Sequence, residues 1–206
     1  MAGNNFTIGV LALQGAVREH LYMIERCGAR GTGIKRPSGL SCVDGLIIPG
    51  GESTTIGKLI DEYGFAGPIK KLAALGVPIY GTCAGLIIVS RRVSGKHEMI
   101  LGLADVAVER NAFGRQVDSF EKDIHIQGIP DEDISFRALF IRAPVIKEMG
   151  PGAVEMSRLE QGVVMAREGN VLLGAFHPEL TDDTRVHRYF LDMVASARGA
   201  KSDTGV

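Results

Sequence analysis

Apolar positions along this chain follow two rhythms. In the first, short continuous apolar runs alternate with stretches of helical spacing. Thr7 to Leu13 is an unbroken apolar run of strand length, as expected for a strand buried on both faces. Gln14-Gly15 breaks it, and Val17, Leu21 and Ile24 then recur at helical spacing toward a stop near Gly28. Thr32 to Lys35 and Gly45 to Ile48 read as strands, the second closed by Pro49-Gly50-Gly51. Ser53 to Tyr63 and Pro68 to Leu75 read as helices. Val77 to Tyr80 reads as a strand that runs through Gly81-Thr82-Cys83-Ala84-Gly85 into an apolar helix. Strands alternating with helices imply parallel pairing through right-handed crossovers.

After about residue 100 the rhythm changes to short strands separated by turn residues. These are Ala104 to Glu109, Ser119 to Gln127, Phe136 to Arg142, Ala153 to Arg158, Gly162 to Arg167 and Val171 to Phe176. A final helix, Thr184 to Arg198, gathers Val186, Tyr189, Phe190, Met193, Val194 and Ala197 on one stripe. The pattern predicts an α/β fold with a mostly parallel central sheet, helices on both faces and antiparallel additions in the second half. No repeat, low-complexity tract or linker interrupts it. One domain over residues 1–199 is expected, with a polar, frayed tail over 200–206.

Composition narrows the function classes. With 206 residues, 45% hydrophobic and 23% charged, the chain reads as a globular protein able to bury a substantial core. A net charge of -1 offers no electrostatic reason to bind nucleic acid or an anionic membrane. No stretch approaches the ~20 apolar residues of a membrane span. The start, Met1-Ala2-Gly3-Asn4-Asn5, lacks the basic opening of a signal peptide. Cys27, Cys42 and Cys83 make an odd count without C-x-x-C spacing. That argues against disulfides or a zinc site and for the reducing cytoplasm.

Chemistry concentrates at the expected strand ends. A nucleophile with Gly two residues away on each side, Gly81-Thr82-Cys83-Ala84-Gly85, is the pattern of a strained strand-to-helix elbow. A thiol at a helix N-terminus there sits in the positive end of the helix dipole, which favours thiolate. Packed among small residues, Cys83 could equally be an inert core thiol. In Phe176-His177-Pro178-Glu179 an apolar strand delivers a histidine with an acid two residues on, the spacing of a base and its orienter. Pro49-Gly50-Gly51-Glu52-Ser53 can expose backbone N–H groups, with Ser53 as N-cap of the next helix. It fits a phosphate loop poorly, because Leu59 follows Lys58 where Ser or Thr belongs. Arg110 to Gln116 and Ile141-Arg142-Ala143-Pro144 place arginines at strand ends, where they suit carboxylate recognition. Gln14, at the C-terminal end of the first strand, can contact a partner, bridge to the active-site loop or simply cap the next helix. His20, His97, His125 and His187 lack ligand spacing or an obvious partner, and Cys27 and Cys42 read as core or subsurface thiols.

Together these motifs resemble the class I, or triad, glutamine amidotransferases. Gly9 to Ala16, Pro49 to Thr55, Gly81 to Ile87, Glu109 to Gln116 and His177 to Leu180 are similar, in particular, to the glutaminase subunits of pyridoxal 5'-phosphate synthase. The likeness runs from about Ile8 to the last helix. Ile87 follows Leu86, as in that family, where many other triad amidotransferases carry Gln.

The resemblance implies Cys83 as nucleophile, His177 as general base and acid, and Glu179 as orienter. It implies an oxyanion hole at the backbone of Gly51 and Ala84, and substrate contacts from Gly51, Glu52, Ser53, Arg110, Ile141 and Arg142. The implied substrate is L-glutamine, hydrolysed through a glutamyl thioester without metal or organic cofactor. The implied partner is a (β/α)8-barrel synthase subunit that receives the ammonia in a hetero-oligomeric complex, with Gln14 on the edge that faces it. Two other readings are a thiol-dependent stress, redox or peptidase-like protein of related α/β fold, and a catalytically silent binding partner. His177-x-Glu179 together with the Pro49 to Ser53 loop discriminates against the first, and the intact triad against the second.

Overall fold

In the computed structural model, residues 6–94, 101–114 and 118–203 are described. The chain builds β1 (Thr7–Leu11), α1 (Val17–Arg26), β2 (Arg30–Ile34), β3 (Gly45–Ile48), α2 (Ser53–Glu62), α3 (Ala66–Ala74), β4 (Ile79–Thr82) and α4 (Ala84–Val89). It continues through β5 (Ser90–Val93), β6 (Ala104–Glu109), β7 (Ser119–Ile124), β8 (Phe136–Ile141), β9 (Val145–Met149), β10 (Ala153–Leu159), β11 (Gly162–Glu168), β12 (Val171–Gly174) and α5 (Arg185–Asp203).

Ten strands form one sheet in the order β2-β1-β3-β4-β12-β11-β9-β6-β5, with β10 on β11, while β7 and β8 pair separately. The five strands β2, β1, β3, β4 and β12 are mutually parallel. From β12 onward pairing turns antiparallel, through β11, β9 and β6. The mixed sheet predicted from the change of rhythm is therefore present.

The parallel strands carry apolar side chains on both faces because helices cover both. Ile8, Val10, Leu46, Ile47, Ile48, Leu172 and Leu173 are fully buried. On β4 the two faces separate residue by residue, since successive side chains point opposite ways. The Tyr80 ring meets Phe190 of α5 at 5.7 Å. Its neighbour Gly81 faces Gly85 of α4 so closely that a Cβ would collide with that backbone. Helix α1 joins α5 on its face through His20 and His187, whose rings lie 5.3 Å apart.

Several boundaries move. The sequence reading missed β5 and β9. Both are short, and Ser90-Arg91-Arg92-Val93 carries two exposed arginines. β4 begins at Ile79 and extends to Thr82. α5 continues to Asp203, past Gly199 where the polar composition suggested fraying, and residues 204–206 lie outside the described residues. Cys42 is exposed rather than subsurface, and Cys27 is half-buried. His97 lies outside the described residues.

Candidate active site

The C-terminal ends of four parallel strands deliver the site, as open parallel sheets do. Gln14 follows β1, the Gly50–Ser53 loop follows β3, Cys83 follows β4 and His177 follows β12. Register aligns them: Ile48 pairs with Gly81, and Thr82 with Gly174.

Cys83 occupies a strained elbow, with φ 48° and ψ -102°. Its amide donates to Gly174 O at 2.7 Å, anchoring the turn to β12. The flanking glycines are required by close approach: a Cβ on Gly85 would collide with the Ile48 carbonyl, and one on Gly81 with the backbone of Gly85. The sulfur lies 3.7 Å from Ile141 O and the residue is 7% exposed.

His177 leaves β12 with its amide donating to Leu139 O at 2.8 Å, which ties it to β8. Its Nδ1 lies 2.7 Å from Oε1 of Glu179, inside the 3₁₀ turn Pro178–Leu180. With Nδ1 so engaged, Nε2 is left for the Cys83 sulfur, with which the ring interacts. Burial disfavours the imidazolium, but Cys83 and Glu179 outweigh it and push His177 up to about 10. Burial alone would raise the Glu179 carboxyl; His20, His177 and a backbone hydrogen bond hold it below its ordinary value instead. The fold thus brings a thiol, an imidazole and a buried carboxylate into one line at the sheet edge.

A cavity of about 360 Å³ opens over Cys83 and His177, within the size range of small-molecule sites. Gly51, Glu52, Ser53, Ala84, Arg110, Ile141 and Arg142 all line it, so every expected substrate and oxyanion residue faces this space. Asn111, Ile87 and Pro144 line it too and were not among the expected substrate or oxyanion residues. A signal for Asn111 exists in retrospect. Among the described residues, four other than glycine have positive φ: Cys83, Asn111, Asp131 and Arg142. Three of those four line the cavity, which matches the tendency of backbone strain to gather at working sites. Arg115 and Gln116, which share the Arg110 motif, lie outside the described residues.

Three sequence expectations are corrected here. Glu52, not Ser53, is the N-cap of α2, its carboxylate accepting from Thr54 N at 3.1 Å and Thr55 N at 2.7 Å. A carboxylate of this length reaches two amides at once, leaving Ser53 as the first helical residue. The Thr55 hydroxyl bond, with the two amides, lowers Glu52 to about 2 despite some desolvation. Gln14 is not a strand end, because β1 stops at Leu11 and Gln14 sits in the turn beyond it. Its Oε1 accepts from Glu52 N at 2.9 Å, and a Cβ on Gly51 would collide with it. Gln14 therefore bridges to the Gly50–Glu52 loop. In the same loop Gly50 O accepts from Ala16 N at 3.1 Å. His20 and His187 have partners after all, described below.

Comparison with known proteins identifies the family and the fold. The model of the SNO glutamine amidotransferase family matches residues 10–196. The chain is 52% identical to the pyridoxal 5'-phosphate synthase subunit PdxT of Niallia circulans, over 93% of this chain and 99% of that protein. It is also 52% identical to the PdxT subunit of Geobacillus kaustophilus, over 95% and 98% of the two chains. A crystal structure of a glutamine amidotransferase superposes with a TM-score of 0.86 at 45% identity, covering 91% of this chain and 98% of that one. With a family model matching residues 10–196 and relatives 52% identical over more than nine-tenths of its length, the chain belongs to the SNO glutamine amidotransferase family.

Proposed function

We propose that this chain hydrolyses the side-chain amide of L-glutamine with Cys83, His177 and Glu179, and passes the ammonia to a synthase subunit that makes pyridoxal 5'-phosphate. The observation that carries the assignment is the alignment Glu179–His177–Cys83 at the floor of a cavity edged by two arginines.

Cys83 Sγ attacks the amide carbon of glutamine. The resulting oxyanion is met by the backbone N–H of Gly51 and of Ala84, the first residue of α4, where helical N–H groups have no partner inside the helix. His177 gives the proton taken from the thiol to the departing nitrogen, the C–N bond breaks and ammonia leaves a glutamyl thioester. His177 then takes a proton from water as the water oxygen attacks the thioester carbon. Collapse of that second intermediate expels the Cys83 sulfur, which His177 reprotonates, and releases glutamate. Glu179 stays ionised throughout and compensates the imidazolium. Arg110 and Arg142 supply cationic donors for the substrate carboxylate, and Glu52 and Ser53 line the same wall.

Ammonia released into water is lost to the synthesis, so the economical arrangement is a complex with the (β/α)8-barrel synthase. Gln14 and the Gly50–Glu52 loop lie on the docking edge, and docking sets the oxyanion hole. Among the described residues no helix is long and apolar enough to cross a membrane. The free Cys27, Cys42 and Cys83 support a reducing, cytoplasmic setting.

The test is steady-state ammonia release from glutamine by wild type and Cys83→Ala, each alone and with saturating synthase. Wild type is expected to be slow alone and stimulated by the synthase. Cys83→Ala is expected to lose on the order of 10³-fold or more while remaining folded. Substantial activity in folded Cys83→Ala refutes the mechanism.

A further inference from the structure

Behind Glu179, away from the cavity, three elements bring polar side chains into the core. His20 of α1 and His187 of α5 are 0% and 1% exposed, and Thr82, the residue before the nucleophile, is 0% exposed. His20 Nδ1 lies 3.0 Å from His187 Nε2. His20 Nε2 lies 3.2 Å from Thr82 Oγ1 and 3.5 Å from Glu179 Oε2. A pair of imidazoles in an apolar core is costly where leucine would fill the space more cheaply, so the pair calls for a reason beyond packing.

The tautomers follow from what surrounds them. If His20 carried its proton on Nδ1, its Nε2 lone pair would face a carboxylate oxygen, and His187 would be left with a buried N–H on Nδ1, an atom without a hydrogen-bond partner. With the proton on His20 Nε2, an N–H faces Glu179 and the Thr82 hydroxyl oxygen. His187 Nε2–H then donates to His20 Nδ1, and the unpartnered His187 Nδ1 is only an acceptor. The second arrangement leaves the smaller penalty, because an N–H is aimed at the anion and no buried donor is orphaned. Burial lowers both imidazoles, so both are neutral near neutral pH. The charged or titratable groups facing His20 are Glu179, His177, His187 and Glu19.

We propose that His20 is a positioning residue of the active site: its Nε2–H, locked by His187, holds the second oxygen of Glu179, whose first oxygen orients His177. Glu179 Oε2 makes no hydrogen bond among the described residues, and its 3.5 Å approach to His20 Nε2 is an electrostatic contact. Without it the carboxylate is anchored at one end and can swing about its Cγ–Cδ bond. Thr82 shares the same N–H, so one imidazole joins the acid to the strand that carries the nucleophile. This inference rests on the triad assignment above.

The experiment compares full-length wild type, His20→Leu and His20→Gln, with melting as the check on folding. Gln places an amide N–H near the position of His Nε2, whereas Leu has no donor. Ammonia release with saturating synthase supplies kcat and KM, and ¹⁵N NMR of histidine-labelled chain supplies the His177 titration midpoint. His20→Leu is expected to lower kcat about tenfold with KM within about twofold, less than the loss from replacing Glu179 itself. The His177 midpoint is expected to fall by about one pH unit in His20→Leu, since a loosely held carboxylate stabilises the imidazolium less. His20→Gln is expected to recover kcat to within about threefold of wild type and to restore the midpoint. Unchanged kcat and midpoint in His20→Leu overturn the proposal, as does a His20→Gln variant equally impaired. If His20→Leu does not fold, His20→Asn, too short to reach Glu179, is read by the same criteria. A wild type that releases no ammonia removes the glutaminase reading, and the His177 midpoints still decide whether His20 positions Glu179.

Discussion

Gly50→Ala is expected to disable the enzyme without unfolding it. The backbone at Gly50 is not in the left-handed region, so alanine costs nothing there conformationally. The obstacle is the His177 ring. A Cβ at Gly50 would sit 3.0 Å from His177 Nδ1, closer still to Cε1, and 3.3 Å from the Cys83 Cβ. To restore ordinary contact the ring must withdraw by about 1 Å, a misplacement that typically costs about 10²-fold in rate. Withdrawal also stretches the 2.7 Å bond from Nδ1 to Glu179, a charge-assisted bond of a kind worth about 1.5–3 kcal/mol. The two losses describe one displacement and are not added. The expected fall in kcat/KM is therefore about 10²-fold, with a stability loss of about 1–3 kcal/mol from overpacking. The assay is ammonia release with saturating synthase at several glutamine concentrations, beside a denaturant melt of the same preparation. A folded Gly50→Ala protein within about twofold of wild-type kcat/KM refutes the placement of His177 over Gly50 as the working geometry.

Other consequences are as direct. His177→Asn should be nearly as damaging as losing Cys83, and the double variant little worse than either, because residues acting as one unit are strongly non-additive; multiplying losses in rate assays count against the partnership. Glu179→Gln should cost less than either, since bond making is left in place. Stability should peak near pH 6.5 and fall on both sides. Below it, the unfolded chain protonates His20 and His187 near their ordinary value of 6.5 whereas folded His187 resists to about 3, so stability drops by up to about 1.4 kcal/mol per pH unit per group. Above it, His177 stays protonated in the fold to about 10, and the stabilisation it contributes fades between 6.5 and 10. Urea melts across pH should show the acid limb flattened in His187→Gln and the alkaline limb flattened in His177→Asn. Gln14→Ala should reduce stimulation by the synthase more than it reduces melting temperature; equal stimulation at equal affinity would leave Gln14 as a plain turn residue.

The parallel half of the fold and the residues of the proposed triad were legible in the sequence because both depend on local pattern. Continuous apolar runs such as Thr7 to Leu11 and Gly45 to Ile48 follow from strands covered on both faces. The glycines around Cys83 follow from backbone approaches that no side chain survives. His177-x-Glu179 is legible because the imidazole and the carboxylate it contacts lie in one short turn.

What local pattern could not reveal depends on residues far apart in the chain. β9 is recognisable only through β6 and β11, which complete its hydrogen bonds. The cap of α2 passed from Ser53 to Glu52 because the longer carboxylate spans two amides. Gln14 and Glu52 meet across 38 positions, and His20 and His187 across 167, so neither contact leaves a periodic trace. An isolated buried histidine looks the same in sequence whatever it faces. Only the folding of α1 and α5 onto one face of the sheet sets these two imidazoles behind Glu179, where a low dielectric gives a single N–H enough strength to matter.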